Sequence, residues 1–336
     1  MNQKTTTFVR LGAVGPARVS ALGLGCMGMS GMYGSSDDAQ STATVQAALD
    51  AGINLIDTGD FYGMGHNESL IGKAIKGRRD QAIISVKFGA LRSPEGGWTG
   101  VDGRAASVKN FLAYSLNRLG TDHVDIYRLA RLDPIVPIEE TIGAMADLVK
   151  AGYVKHIGLS EVGVETIRRA HAVHPISDLQ IEYSLVSRGP EDKIFPVLRD
   201  LGIGVTAYGV LSRGLLSGSK ATGPSDYRGY LPRFNRDNAQ QNQRLIDTLN
   251  RLAAMMGATA SQVAIAWVAE QAKLMKIDLV ALVGSRTQKQ LSEAIQSQTV
   301  QMSAEVMGQI EAALRTNAVA GARYDTWQMS VLDSEK

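Results

Sequence analysis

Three titratable side chains stand at or just past short apolar runs early in the chain. Asp57 closes the run "INLIDT", Tyr62 follows five residues later in "DTGDFYG", and Lys87 lies at the end of "AIISVKF". A carboxylate, a phenol and an ammonium are all groups that move protons in catalysis. Each also has a purely structural use: a strand-terminal Asp caps the next helix, a Tyr beside Gly packs, and a Lys at a strand end snorkels to water. Only a scaffold that gathers strand ends at one mouth would make a site of them.

The pattern along the chain predicts such a scaffold. Strand-length apolar runs recur at 22–27, 53–58, 82–88, 124–130, 156–160, 178–184, 204–209 and 279–285. Stretches with apolar residues three and four apart separate them, such as "SVKNFLAYSLNRLG" and "IEETIGAMADLVKAG", several of them closing on glycine. Near-continuous apolar strands alternating with amphipathic helices make a parallel sheet, and eight units close most naturally into a (β/α)8 TIM barrel. The first run is followed by "GLGCMGMSGMYG", which lacks the spaced glycine fingerprint of a dinucleotide-binding open sheet. The expected organisation is one domain over 1–336: an N-terminal hairpin at about 8–21, a barrel at about 22–298, and a C-terminal helix and tail at about 303–336. The hairpin either plugs the barrel floor or hangs as a loose arm. Residues 211–238, rich in Gly and Pro and poor in periodicity, read as an ordered functional loop or a lid over the mouth.

Composition narrows the function classes. Lys and Arg number 35 against 33 Asp and Glu, and no basic stripe with interleaved aromatics appears, so a nucleic-acid partner is not expected. No apolar run approaches the ~18–20 residues that span a bilayer, and the start has no secretory core, so no membrane partner and a cytoplasmic location are expected. The single cysteine, Cys26, rules out an internal disulfide and a thiolate metal site, and no metal is expected.

From about Val19 to Gln298 the chain resembles the aldo-keto reductase superfamily. The likeness is carried by "ALDAGINLIDTGDFYGMGHNESLIGKAIKG", "GYVKHIGLSE", "LQIEYSL", "AYGVLSRGLLSG" and "ALVGSR", in that family's order and spacing. The resemblance implies hydride transfer from NADPH to an aldehyde or ketone. It implies Tyr62 as proton donor to the carbonyl, Lys87 as the cation that lowers its pKa, and Asp57 as the carboxylate that keeps Lys87 charged. The roles make physical sense, since a free phenol titrates near ~10 and an adjacent ammonium favours its anion. The partners implied are a small-molecule carbonyl and no nucleic acid, with the chain a monomer or a homo-oligomer. A weakly catalytic or regulatory NADP-binding subunit, like the potassium-channel β subunits of the same fold, is the alternative. A Schiff-base role for Lys87 needs a neutral amine, which a neighbouring Asp57 disfavours.

One motif departs from the family. In "LARLDP" Ala130 stands where the family carries a catalytic histidine, so a bulkier carbonyl or a water takes the space, or turnover is weak. Strand alternation turns Arg128 inward, with Glu182 or Asp57 as its candidate partner. It is read either as an interior ion pair or as a substrate-side donor in place of the histidine. Arg131 is expected to face outward and anchor a loop. By the same resemblance Ser160, Glu161 and Gln180 line the nicotinamide carboxamide, Tyr208 stacks on the ring, and Leu211, Ser212 and Arg213 follow the pyrophosphate. Gly284, Ser285 and Arg286 take the adenosine 2′-phosphate, with Gln290 and Glu293 nearby. Met27 and Trp98 join Ala130 and Arg128 as the expected substrate wall, suited to a hydrophobic or cyclic carbonyl. His66 and His123 are too far from the mouth to replace the histidine.

Overall fold

The computed structural model describes residues 6–221, 223 and 226–336. Each apolar run becomes a strand: β1 (Leu22–Gly25), β2 (Leu55–Gly59), β3 (Ile83–Phe88), β4 (Val124–Leu129), β5 (Val154–Ser160), β6 (Asp178–Glu182), β7 (Gly204–Tyr208) and β8 (Leu279–Gly284). They pair in parallel in chain order, and β8 returns to β1 to close the barrel. Helices α1 (Asp38–Asp50), α2 (His66–Ala74), α3 (Ala105–Leu119), α4 (Ile138–Lys150), α5 (Val164–Val173) and α6 (Pro190–Leu201) cover it. After β7 come α7 (Arg236–Met255) and α8 (Ala260–Met275), and after β8 come α9 (Gln288–Gln296), α10 (Ala304–Thr316) and α11 (Thr326–Val331). The (β/α)8 TIM barrel predicted from the alternation is the fold that forms.

Local sequence explains the elements. In α3 the buried residues Val108, Leu112, Ser115 and Leu119 follow the helical period and face the barrel. The helix stops at Gly120, whose φ of 63° sends its amide back to the carbonyls of Leu116 and Asn117. No single described helix is long and apolar enough to cross a membrane.

The N-terminal hairpin pairs Phe8–Val9 with Val19–Ser20 and plugs the floor rather than hanging loose. Its Leu11 and Val19 pack against Leu55, Ile126 and Val280, the inward side chains at the bottom of the barrel, with Val9 and Ile83 at the edge of the cluster. The stretch after β3 forms a second hairpin of Ala90–Arg92 against Trp98–Val101.

Period-two alternation then stacks the interior in layers. Above the apolar floor lies a polar layer of Asp57, Ser85, Arg128, Asp178 and Thr206, all essentially inaccessible to solvent. Arg128 donates to Asp178 through Nη1 (3.0 Å) and Nη2 (3.3 Å), and through Nη2 to Ser85 Oγ (3.2 Å). Its partner is therefore Asp178 and not Glu182 or Asp57, because Glu182 lies four residues further along β6 and Asp57 is taken by Lys87, Ser85 and Gln180. Fully buried and bonded in this layer, Arg128 lies beneath the mouth and is not a substrate contact. Gly158 makes the room: a Cβ there would stand 2.8 Å from Asp178 Oδ1 and 3.1 Å from Arg128 Cζ.

Of the 211–238 loop, the described residues fold as short turns at Ser212–Ser217, Tyr227–Tyr230 and Pro232–Phe234. Tyr227 donates its amide to Met32 O, so the loop crosses from β7 to the segment after β1. Thr222, Pro224 and Ser225 lie outside the described residues.

Candidate active site

Asp57, on β2, is the centre of a buried set of bonds at the top of the barrel. It accepts from Lys87 Nζ on the neighbouring strand, from Ser85 Oγ (2.9 Å) and from Gln180 Nε2 across the barrel (2.7 Å). Lys87 Nζ also donates to Thr58 O (3.0 Å). Parallel pairing of β2 with β3 sets Gly59 against Lys87 and Asp57 against Ser85, which brings the lysine head over the carboxylate. Burial lowers the Lys87 pKa, with Arg128 and Arg131 adding to that, and Asp57 opposes it by charge and hydrogen bond. The structure thus brings Asp57 and Lys87 together as expected.

Tyr62 starts the short turn that follows β2, and its ring lies over the lysine, with Lys87 Nζ 5.1 Å from the ring centroid. Asn67, fully buried, fixes this turn: it accepts from Thr58 Oγ1 (2.7 Å) and donates to Cys26 O (2.9 Å) and Ser30 Oγ (2.8 Å). Sequence reasoning passed over Asn67, although its place on the first turn of α2 was visible. The Tyr62 hydroxyl has no hydrogen-bond partner among the described residues and keeps access to the mouth. Burial, then Asp57 and Tyr33, push its pKa well above the ordinary phenol range, and the cation that most opposes this is Arg131. The acidifying influence expected from Lys87 alone is therefore carried at least as much by Arg131.

Ala130 packs with Tyr62, Phe61 and Ala90, and Met27 lies against the same cluster. Trp98, half exposed on the second hairpin, meets the Phe61 ring edge-on at 5.3 Å under the Arg92 guanidinium. Met27, Trp98 and Ala130 thus line one side of the mouth. Arg131 does not face outward. The strand ends at Leu129, the alternation lapses in the following bend, and the guanidinium folds across the mouth, donating through Nη1 to Ala130 O (2.7 Å) and through Nη2 to Tyr324 Oη (3.2 Å). His66 binds Asp38 and Ser30, and His123 binds Asp122, both away from the mouth as expected.

On the opposite side, Ser160 is buried and its Oγ has no partner among the described residues, an orphan a carboxamide would satisfy. Gln180 spends its amide nitrogen on Asp57, which leaves its carbonyl oxygen as acceptor. The Tyr208 ring is held by its hydroxyl, which bonds Glu161 Oε1 (2.8 Å) and Tyr324 Oη (2.9 Å). This set fits a nicotinamide.

Glu161 does not belong to that wall. With φ of 53°, it turns its carboxylate onto Arg323 (3.0 and 2.7 Å) and Ser334 Oγ (2.6 Å), and it also accepts from the Glu182 amide (2.9 Å). Burial acts to raise its pKa, but Arg323, then Arg131 and Ser334, hold it down at about 2. Arg323, Tyr324 and Ser334 were not foreseen, because nothing local in the C-terminal sequence marks a segment that returns to the mouth.

The strand-seven loop differs from expectation in its side chains. Arg213 donates to Glu182 Oε2 (2.8 Å) and lies over the Tyr324 ring, while Ser212 Oγ accepts from Arg233 (3.0 Å). Both are committed internally, so along with Leu211 this loop has mainly backbone to offer a pyrophosphate. After β8, Gly284 is exposed, Ser285 is buried, and Arg286 donates to Tyr33 O (3.0 Å) and Ser35 O (3.1 Å). Gln290 accepts from the Arg286 amide (3.0 Å), next to the α9 N-terminus. Glu293 is turned to Thr259 Oγ1 (2.7 Å), the cap of α8, and away from these groups.

Asp60 gives the site a pH-dependent cost. Neither carboxyl oxygen has a well-formed hydrogen bond, and burial, then Glu68, push its pKa from 3.8 up to about 7 against Arg118 and the nearby Gly89 and Phe61 amides. The folded state therefore keeps a proton that the unfolded chain loses above pH 3.8, and stability declines as pH rises from there to about 7. At 1.36 kcal/mol per unit this is on the order of 4 kcal/mol. Asp60→Asn is expected to be more stable than the parent at pH 8 and equal to it at pH 4, as read by urea unfolding at both values.

The barrel is closed and parallel, with a buried Lys–Asp pair beneath a tyrosine at its C-terminal mouth. Residues 21–315 match the model of the Aldo/keto reductase family, and the chain belongs to that family. Solved structures agree. A glycerol dehydrogenase from Gluconobacter oxydans is 27% identical over 95% of this chain and 97% of its own, with a TM-score of 0.82. An aldo-keto reductase from Bacillus halodurans is 28% identical over 96% and 99%, with a TM-score of 0.76. An aldo/keto reductase from Klebsiella pneumoniae, solved with NADP and acetate, is 25% identical over 96% and 99%, with a TM-score of 0.71.

Proposed function

We propose that this protein reduces an aldehyde or ketone to the alcohol with NADPH, using Tyr62 as general acid. The observation that carries the reading is a Tyr62 ring over a buried Lys87–Asp57 pair, its hydroxyl without a hydrogen-bond partner among the described residues. The reduced nucleotide, when bound, supplies the hydride to the carbonyl carbon. Ser160 Oγ and the Gln180 carbonyl hold the carboxamide, and the Tyr208 ring fixes which face of the nicotinamide looks to the substrate. Gly284, Ser285 and Arg286, with the adjacent α9 N-terminus, bind the 2′-phosphate, since a forked guanidinium at a helix start suits a dianion. The Klebsiella pneumoniae relative, solved with NADP, supports this choice of nucleotide.

Tyr62 donates its proton to the carbonyl oxygen as the carbon receives hydride. Lys87 and Arg131 stabilise the phenolate left behind, Asp57 keeps Lys87 protonated against burial, and solvent restores the proton as the alcohol leaves. The test is the loss of NADPH absorbance with a panel of aldehydes, ketones and quinones. Turnover with at least one is expected. Tight NADPH binding with no turnover on any would instead favour a regulatory nucleotide-binding subunit.

A further inference from the structure

Most of the charges lining the barrel interior and the β5–β7 side of the mouth are paired. Lys87 faces Asp57, and Arg128 faces Asp178. On the β5–β7 side, Glu161, Glu182 and Glu335 share Arg213, Arg233 and Arg323, three carboxylates against three guanidiniums. Arg131 has no carboxylate at ion-pair distance among the described residues. Glu161, whose charge acts on it from a distance, is already held by both ends of Arg323. A guanidinium with no carboxylate in direct contact can take one from an incoming anion.

The guanidinium is also held in place. Ala130 O and Tyr324 Oη take two of its N–H groups, and Tyr324 is itself fixed by Tyr208. A guanidinium has five such groups, so three remain without a protein acceptor among the described residues. Ala130 packs on Tyr62 with a small side chain where a larger one would crowd the hydroxyl, and the neighbouring Met27, Phe61 and Trp98 are apolar. A carbonyl oxygen at the Tyr62 hydroxyl would therefore have a fixed cation on one side and an aromatic wall on the other.

We propose that Arg131 is the substrate-anchoring residue of this site and that the preferred substrates are 2-oxo acids with an apolar or aromatic substituent, the carboxylate engaging Arg131 beside the carbonyl held by Tyr62. This rests on the reaction proposed above. The forked guanidinium matches a carboxylate in geometry as well as charge, which a lysine at the same place would match only in charge.

Phenylglyoxylate and its methyl ester share one carbonyl and one ring and differ in the carboxylate, so the pair isolates it. With NADPH, the parent is expected to show a KM at least tenfold lower for the acid, rising with added salt, while the ester KM does not move. In Arg131→Met the acid-to-ester ratio of kcat/KM should fall at least tenfold, mainly through KM. Arg131→Lys should restore part of it, and Tyr324→Phe should loosen it to a smaller degree. Circular dichroism confirms that each variant is folded before it is compared. A parent indifferent to the carboxylate, or an Arg131→Met loss equal for both compounds, overturns the proposal. A turnover-free readout separates its fate from that of the reaction: phenylacetate, but not phenylacetamide, should raise the melting temperature of the parent and not of Arg131→Met. If neither carbonyl is reduced yet this difference appears, the anion site stands and the reaction falls. If the difference is absent, the anion site falls whatever the turnover.

Discussion

Tyr62→Phe is expected to lower kcat by about 10³-fold, within the 10²–10⁴ range that a positioned proton donor contributes. The ring would still fill its place against Phe61 and Ala130 and still lie over Lys87, so the variant should fold and bind NADPH as the parent does. What is lost is a hydroxyl at the mouth that no other described residue engages by a hydrogen bond. The loss should therefore fall on kcat, with the nucleotide Kd, read by NADPH fluorescence, within about threefold of the parent, well under the tenfold that 1.4 kcal/mol represents. A kcat for Tyr62→Phe within tenfold of the parent on the same carbonyl would remove Tyr62 as the acid.

Asp57→Asn should harm both stability and catalysis. Among the described residues Asp57 is the only carboxylate paired with Lys87, and it also takes Ser85 and Gln180, all in the interior. Breaking one side of a buried pair leaves the other charge uncompensated and costs about 3–5 kcal/mol. Burial already lowers the Lys87 pKa, and removing the opposing carboxylate lowers it further, so Lys87 spends more time neutral and no longer supports the phenolate. Urea unfolding should show the stability loss, and kcat should fall at least 10²-fold in protein shown to be folded. The conservative Asp57→Glu would not rescue geometry in so tight a layer, and an amide that behaved like the parent in both measurements would contradict the arrangement.

Much of this was legible before any coordinates. The barrel strands are short apolar runs buried on both faces, a signal carried by each segment alone. Asp57, Tyr62 and Lys87 stood out because strand ends place side chains at one mouth whatever the rest of the chain does. Inward alternation also gave Arg128 its correct direction, because residue 128 is still within β4. The same rule failed three residues later: Arg131 follows the last strand residue, where a bend replaces the pleat, and the guanidinium is drawn back over the mouth by Tyr324. That partner lies 193 positions along the chain, and so no local pattern announces it. Glu161 was misassigned for a like reason. Its neighbour Ser160 kept the expected place, but a left-handed backbone turn and Arg323, 162 residues away, took the carboxylate elsewhere.

The most direct test of the central claim is a crystal structure of the protein with NADP⁺ bound. The nicotinamide carboxamide should lie at about 2.7–3.2 Å from Ser160 Oγ, with the ring against Tyr208 and its C4 facing the Tyr62 hydroxyl above Lys87. A nucleotide bound with its nicotinamide outside that mouth, or with Tyr62 turned away from C4, would contradict the account.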